Sequence, residues 1–334
     1  MNYIGSKYSL LPFLSSTIDD IAGKDLGNKV FCDLFAGTGI VGRTFKKRVR
    51  KVIANDWEYY SYVLNRNYIG NHLDIAGKDE LLNQLNSLEG ITDGFIYNNY
   101  CNGSGSGRMY YSDENGQRID AVRTKIEEWK ESDAISDDAY YFLLASLLES
   151  ADKIANTASV YGAFLKHIKK SAQKPLELLP AEFETNANTH DVYCSDANQL
   201  IKKIEGDILY LDPPYNARQY GANYHLLNTI AEYKPFNPKG KTGLRDYSRS
   251  SYCSRSSVKD SFESLIKDAK FKFIILSYNN EGLMSPDDIH EIMSKYGHYD
   301  VLSQEYHRFR ADKECNRNHV SDKTTEYLHV LEKQ

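Results

Sequence analysis

Asp212-Pro213-Pro214-Tyr215 directly follows the apolar run Ile208-Leu209-Tyr210-Leu211, and that junction limits what the chain can build. A short apolar run ended by turn residues reads as a buried strand. Two consecutive prolines stop it, because proline lacks the N–H that a sheet interior requires. What stands at the strand's end is one acid, carbonyl oxygens that can only accept hydrogen bonds, and an aromatic ring. Asp212 and the Pro213 carbonyl can together accept both hydrogens of an exocyclic amine, which turns the nitrogen lone pair toward an electrophile while Tyr215 stacks on the ring that bears it. Methylation of a planar amine needs such a pocket and requires neither a metal nor a covalent nucleophile. Taken alone, the same four residues also make an ordinary tight exit turn.

A second segment, Phe31-Cys32-Asp33-Leu34-Phe35-Ala36-Gly37-Thr38-Gly39-Ile40-Val41-Gly42, runs from a strand through a glycine turn into a helix. Glycines at 37 and 39 let the backbone approach a ligand closely. Gly37, Gly39 and Gly42 satisfy G-x-G-x-x-G, and Asp56 follows Val52-Ile53-Ala54-Asn55 at the distance of a ribose-binding acid, so the pattern alone leaves a dinucleotide open. Asp33 argues the other way. A carboxylate at the mouth of the turn repels a pyrophosphate but suits the cationic amino-acid end of S-adenosylmethionine.

Strands are expected near Val30 to Leu34, Val52 to Asn55, Asp191 to Tyr193, Ile208 to Leu211 and Phe271 to Leu276, with helical patterns between several of them. Such alternation gives a mainly parallel sheet with ligands at the strand carboxyl ends, and both informative segments fall at such ends. The interval from about Asn71 to His190 is too long for a connection and must hold structure of its own. Tyr140 to Ile154 and Ile119 to Trp129 are apolar at helical spacing and read as core. Arg108 to Gly116 is polar, with hairpin chemistry at Asn115-Gly116.

Together these residues resemble the DNA adenine-N6 methyltransferases of the alpha arrangement, in which the cofactor motif precedes the catalytic tetrapeptide. The resemblance spans most of the chain. It implies an α/β fold, a Rossmann-like S-adenosylmethionine-dependent methyltransferase sheet closed by a hairpin of Tyr299 to Ser303 and Glu326 to Leu331, with an inserted, mostly helical target-recognition region. On that basis residues 1–70 and 186–334 form the catalytic domain and 71–185 the insertion. Asn2 to Lys7 is similar to the segment these enzymes fold over the cofactor, which makes Tyr3 and Lys7 cofactor residues. Asp33, Phe35, Gly37 and Gly39 match the methionine-binding loop, Asp56 the ribose acid, and Asp196 an acid near the cofactor's adenine. Phe273 to Asn279 resembles the strand that walls the pocket, and Asp212, Pro213, Pro214 and Tyr215 are the family's catalytic motif without substitution. Adenine inside a duplex cannot reach this site, so the target base must be flipped out. Within the insertion, Arg108, Tyr111, Asn115, Gln117 and Arg118 are of types that read base edges.

The resemblance makes double-stranded DNA the partner and a restriction-modification system the setting, with a separately encoded endonuclease as a candidate companion. A net charge of −5 counts mildly against a polyanionic partner. The segment 234–259 answers part of that, with seven basic residues, Lys241, Arg245, Arg249 and Arg255 among them, against one acid. Its Gly, Pro and Ser content suits a loop that orders on phosphates. Five scattered cysteines form no zinc spacing, and no apolar run is long enough to span a membrane, so the expectation is a cytoplasmic protein. Three other readings remain: an RNA or protein methyltransferase with the same pocket, a nicotinamide-dependent oxidoreductase that leaves Asp212-Pro213-Pro214-Tyr215 without a task, and a noncatalytic nucleic-acid-binding module.

Overall fold

Seven apolar or alternating segments become strands: β1 (Val30–Asp33), β2 (Lys51–Asp56), β3 (Asp191–Cys194), β4 (Glu205–Leu211), β5 (Lys270–Asn279), β6 (Gly297–His307) and β7 (Lys323–Lys333). They come from a computed structural model that describes residues 7–307 and 323–334. Tyr3, the rest of the segment before Lys7, and Cys315 lie outside the described residues.

The strands form one sheet in the order β3-β2-β1-β4-β5-β7-β6. Pairings among β1 to β5 are parallel, whereas β7 runs antiparallel to both β5 and β6. The expected strands and closing hairpin are present; β1 ends one residue earlier than expected, at Asp33, and the others run a little longer. Chain order reverses between β1 and β4, and ligands of open α/β sheets bind at such a switch point, beyond the carboxyl ends of the strands. The four residues of β1 are all buried, as expected of a parallel strand covered on both faces. One covering layer is the helix Val258–Asp268. It buries Val258, Phe262, Leu265 and Ile266, a single helical face, in a cluster with Leu209, Leu211, Ile274 and Leu276.

The described residues divide into two units, the sheet unit (residues 7–57, 186–219, 249–307 and 323–334) and a helical unit of Glu58–Thr185 with Tyr220–Ser248. This differs from boundaries at 70 and 186, because residues beyond the interval join its helices. The Tyr60 N–H donates to Asn228 Oδ1 at 2.9 Å, and Tyr161 N–H donates to the Asn223 carbonyl at 2.7 Å. The insertion's two expected helices appear as Asp113–Glu131 and Asp137–Ile154. Phe142, Leu143, Leu144, Leu147, Leu148 and Ile154 are buried as expected.

The expected hairpin at Asn115-Gly116 is overturned, since both residues lie in the first turn of the helix Asp113–Glu131. Ser112 caps that helix by accepting from Asn115 N–H, and Asp113 and Glu114 complement its positive end. Gly116 is there for packing. A Cβ at that position would stand 2.0 Å from Cys101 Sγ.

Candidate active site

The parallel register collects acids on one edge of the sheet. Asp33 ends β1 and pairs with Ala54 on β2, so Asp56 stands two residues further out; Asp56 pairs with Cys194, so Asp196 lies two residues beyond on the neighbouring strand. On the other side Asp33 pairs with Tyr210, and Asp212 follows two residues later. Four carboxylates thus stand along the carboxyl ends of β3, β2, β1 and β4. Such an edge suits a cation and disfavours a pyrophosphate, which tells against the dinucleotide reading of the glycine pattern.

The glycine turn is built on these acids. Gly37 and Gly39 have φ of 53° and 80°, in the left-handed region, and Gly37 N–H donates to Asp56 Oδ2 at 2.8 Å. Asp33 is 1% exposed; its Oδ2 accepts from Gly42 N–H at 3.1 Å, while its Oδ1 is buried with no hydrogen-bond partner among the described residues. Burial pushes this carboxyl up to about 8, the charges of Asp212 and Asp56 push the same way, and the Gly42 N–H only partly offsets them. An orphaned, charge-frustrated acid beside a left-handed glycine turn fits the ammonium of an amino-acid ligand. Phe35 is half-buried with its ring edge-on to Tyr252, centroids 5.1 Å apart. Asp196 caps the short helix Ala197–Leu200 by accepting from Gln199 N–H at 3.0 Å.

At the end of β4, Asp212 is partly buried and Pro213 fully so, and Tyr215 packs on the core cluster. The Tyr215 carbonyl accepts from Leu283 N–H at 3.1 Å, which fixes the turn's exit. Lys7 Nζ sits 3.1 Å from Asp212 Oδ1 and 3.0 Å from Glu326 Oε1, and Ser277 Oγ donates to the same Glu326 oxygen at 2.7 Å. Burial pushes Asp212 up to about 6, with the Lys7 ammonium pulling it down and the Glu326 charge pushing it up.

A family model described as D12 class N6 adenine-specific DNA methyltransferase matches residues 3–292. The chain belongs to that family. Among similar proteins, the Type II methyltransferase M.NlaIII of Neisseria lactamica is 65% identical over 333 residues, covering 100% of this chain and 99% of that protein. M.CviAII of Paramecium bursaria Chlorella virus 1 is 37% identical, covering 96% of each chain. M.FokI of Planomicrobium okeanokoites is 38% identical, covering the whole of this chain but 53% of that longer protein. This D12 class enzyme is therefore an adenine-N6 DNA methyltransferase, and none of its described helices is long and apolar enough to cross a membrane.

Of the residues singled out in the sequence, the structure brings Asp33, Phe35, Gly37, Gly39, Asp56, Asp196 and Asp212 to Tyr215 to one sheet edge, together with Lys7. The residues expected to meet DNA divide. Lys241, Arg249 and Arg255 are exposed, but Arg245 is tied to Glu232 at 2.7 Å. Arg108 donates to the carbonyls of Asn99 and Gly240, and Arg118 to those of Leu88 and Asn86. Both guanidinium groups brace backbone rather than project freely. Asn115 does the same, donating to the Ala172 and Lys174 carbonyls and accepting from Leu176 N–H, and Tyr111 is fully buried. His225 is packed, its Nε2 3.0 Å from the Tyr161 carbonyl and its basicity lowered to about 4 by burial.

Sequence reasoning missed Glu326. A signal existed: it is the one acid in the otherwise apolar or aromatic run Glu326-Tyr327-Leu328-His329-Val330-Leu331. Its importance depends on β7 returning antiparallel beside β5, where Glu326 pairs with Asn279.

Proposed function

We propose that the protein transfers a methyl group from S-adenosylmethionine to N6 of an adenine flipped out of double-stranded DNA, as the modification enzyme of a type II restriction-modification system. Its similarity to several proteins named Type II methyltransferases supports that setting, and a separate endonuclease of matching specificity is its expected companion. The observation that carries the donor assignment is Asp33, a buried acid with an oxygen unpartnered among the described residues, on an edge already lined by three further acids.

Bound S-adenosylmethionine supplies the electrophilic methyl group. Asp33 holds the donor's ammonium, the Gly37 to Gly39 backbone lies against its methionine portion beside Phe35, Asp56 accepts from the ribose hydroxyls, and Asp196 stands at the adenine end. On the other side of the switch point, the Asp212 carboxylate and the Pro213 carbonyl accept the two N6 hydrogens of the target base. That arrangement draws the nitrogen out of conjugation and aims its lone pair. Tyr215 stacks on the base in place of the neighbouring bases it leaves behind in the duplex. The nitrogen attacks while carrying its hydrogens, so no strong base is needed, and one proton departs after transfer. The exposed cations Lys241, Arg249 and Arg255 take the phosphate backbone, the sequence-independent part of binding.

The test is methylation by purified protein with labelled S-adenosylmethionine on unmethylated DNA and, separately, on total RNA, followed by digestion to nucleosides. Labelled N6-methyldeoxyadenosine from DNA is expected. Label confined to RNA would refute the substrate, and loss of cofactor binding in an otherwise folded protein would refute the donor.

A further inference from the structure

Lys7 is buried, at 7% exposure, yet it faces two carboxylates on different parts of the sheet unit, Asp212 at 3.1 Å and Glu326 at 3.0 Å. Burial alone would lower this ammonium, but the two carboxylates outweigh it and hold Lys7 well above its ordinary range. Glu326 is equally enclosed, at 5% exposure, and its Oε1 also accepts from Ser277 Oγ at 2.7 Å. The β4–β5 register reaches Leu211 beside Leu276, so Asp212 follows next to Ser277. The chain Ser277, Glu326, Lys7, Asp212 is therefore continuous, and it ends on the acid that the proposed reaction uses.

We propose that Glu326, on the last strand, is a positioning residue for methyl transfer. It anchors the Lys7 ammonium, and Lys7 in turn fixes the Asp212 carboxylate as an ionised acceptor for the N6 hydrogens. This assigns Lys7 to the catalytic acid rather than to the cofactor, and it rests on the adenine-N6 reading above.

The need for such a device follows from the surroundings. Asp212 is partly buried and shares its region with Asp33 on β1, Glu326 on β7, the buried phenol of Tyr210 and the partly buried one of Tyr215, on which the Glu281 charge also acts. Lys7 is the cation that acts on Asp212 within this group. Without it, desolvation and like charge would favour the protonated acid, which accepts hydrogen bonds poorly. A single unanchored lysine would instead collapse onto Asp212 and compete with the substrate amine. A second carboxylate held by Ser277 divides the ammonium's attention and leaves Asp212 free to accept.

The experiment is the pH dependence of kcat/KM for DNA at saturating S-adenosylmethionine, which reports groups of the enzyme before the base enters. Lys7→Met should move the acid limb up by about one pH unit or more. Glu326→Gln is nearly isosteric and removes the negative neighbour; it should move the limb down while lowering kcat at the plateau about tenfold. Lys7→Arg keeps the charge and should keep the limb near the wild-type position, which preserves the test if Lys7→Met fails to fold. Cofactor affinity, measured by calorimetry, should stay within about threefold in all three variants, a change worth well under 1 kcal/mol. An acid limb unmoved in Glu326→Gln and Lys7→Met would overturn the proposal while wild-type methylation stands. So would lost cofactor binding in Lys7→Met with no shift of the limb. A wild-type protein that labels no adenine removes the reading beneath it.

Discussion

Two acids of the sheet edge, Asp33 and Asp212, and two buried side chains of the helical unit, Asn115 and Arg123, meet burial in opposite ways. On the edge, Asp33 keeps an oxygen without a partner among the described residues, and Asp212 is held above the usual carboxylate range. Both are costly in isolation and useful only if a ligand relieves them. In the helical unit, Asn115 spends its side chain on three backbone groups, and Arg123 donates to the Ile230 and Ala231 carbonyls while pairing with Glu127. Those groups are satisfied, so they hold structure and have little left for a substrate. The difference separates residues that look functional from residues that are poised to act.

The sharpest way to break this comparison is at Asp212. Asp212→Asn keeps the shape but replaces one accepting oxygen with a donor, so methyl transfer should fall by about 10² to 10³-fold. Cofactor affinity and thermal stability should stay near wild type. Single-turnover incorporation of label, beside calorimetric cofactor binding, checks both halves. Retained activity within tenfold would mean that Asp212 is no more poised than Arg123.

Gly116 tests the other side. In an exposed helix, glycine to alanine stabilises by about 1 kcal/mol. Here the new Cβ would stand 2.0 Å from Cys101 Sγ, and overpacking of that kind costs about 1–3 kcal/mol. Gly116→Ala should therefore lower stability in urea unfolding, and a rise would mean that the helix has room for a Cβ beside Cys101.

That position also shows what was legible in the sequence and what was not. Asp33 and Asp212 could be placed because each stands where an apolar run gives way to a glycine or proline turn, Asp56 because it follows the run Val52-Ile53-Ala54-Asn55, and parallel pairing then sets the three on one edge. Local chemistry sufficed. Asn115-Gly116 misled because the same residues that favour a hairpin follow Ser112, and Asp113 and Glu114 complete a helix start. The sequence could not show that Arg108 and Arg118 brace carbonyls, because a guanidinium that reads a base and one that braces backbone are the same residue type. Glu326 was missed for a different reason: it stands out as the one acid of its run, but its partner Lys7 meets it only after the sheet has closed. Long-range pairs of this sort have no local signature.

The pH dependence of cofactor binding refines the edge side. Asp33 is raised to about 8 in the free protein, chiefly by burial, so at pH 7 most molecules carry it protonated and neutral. An ammonium ligand favours the charged form and depresses the pKa on binding. Affinity should thus rise with pH, up to about tenfold per unit below 8, and level off above it. Binding near pH 7 should release close to one proton, visible as a dependence of calorimetric heat on the buffer's ionisation enthalpy. Asp33→Asn should abolish both effects, and a buffer-independent heat in the wild type would show that this acid does not meet the ligand's cation.

The smallest expected effects compare arginines across the two regions. Arg118 is tied to the Leu88 and Asn86 carbonyls, so Arg118→Met should cost about 1–2 kcal/mol of stability and leave the salt dependence of DNA binding unchanged. Arg249 and Arg255 are exposed. Arg249→Ala and Arg255→Ala should each leave stability within about 0.5 kcal/mol and flatten the slope of log affinity against log salt by about one. A phosphate contact acts on every sequence alike, so affinity should fall equally for methylatable and unrelated DNA. If Arg118 changed the slope and Arg249 and Arg255 did not, the exposed loop would be mere solvated surface, and the helical unit's braced guanidinium groups would have to exchange their carbonyls for phosphates on binding.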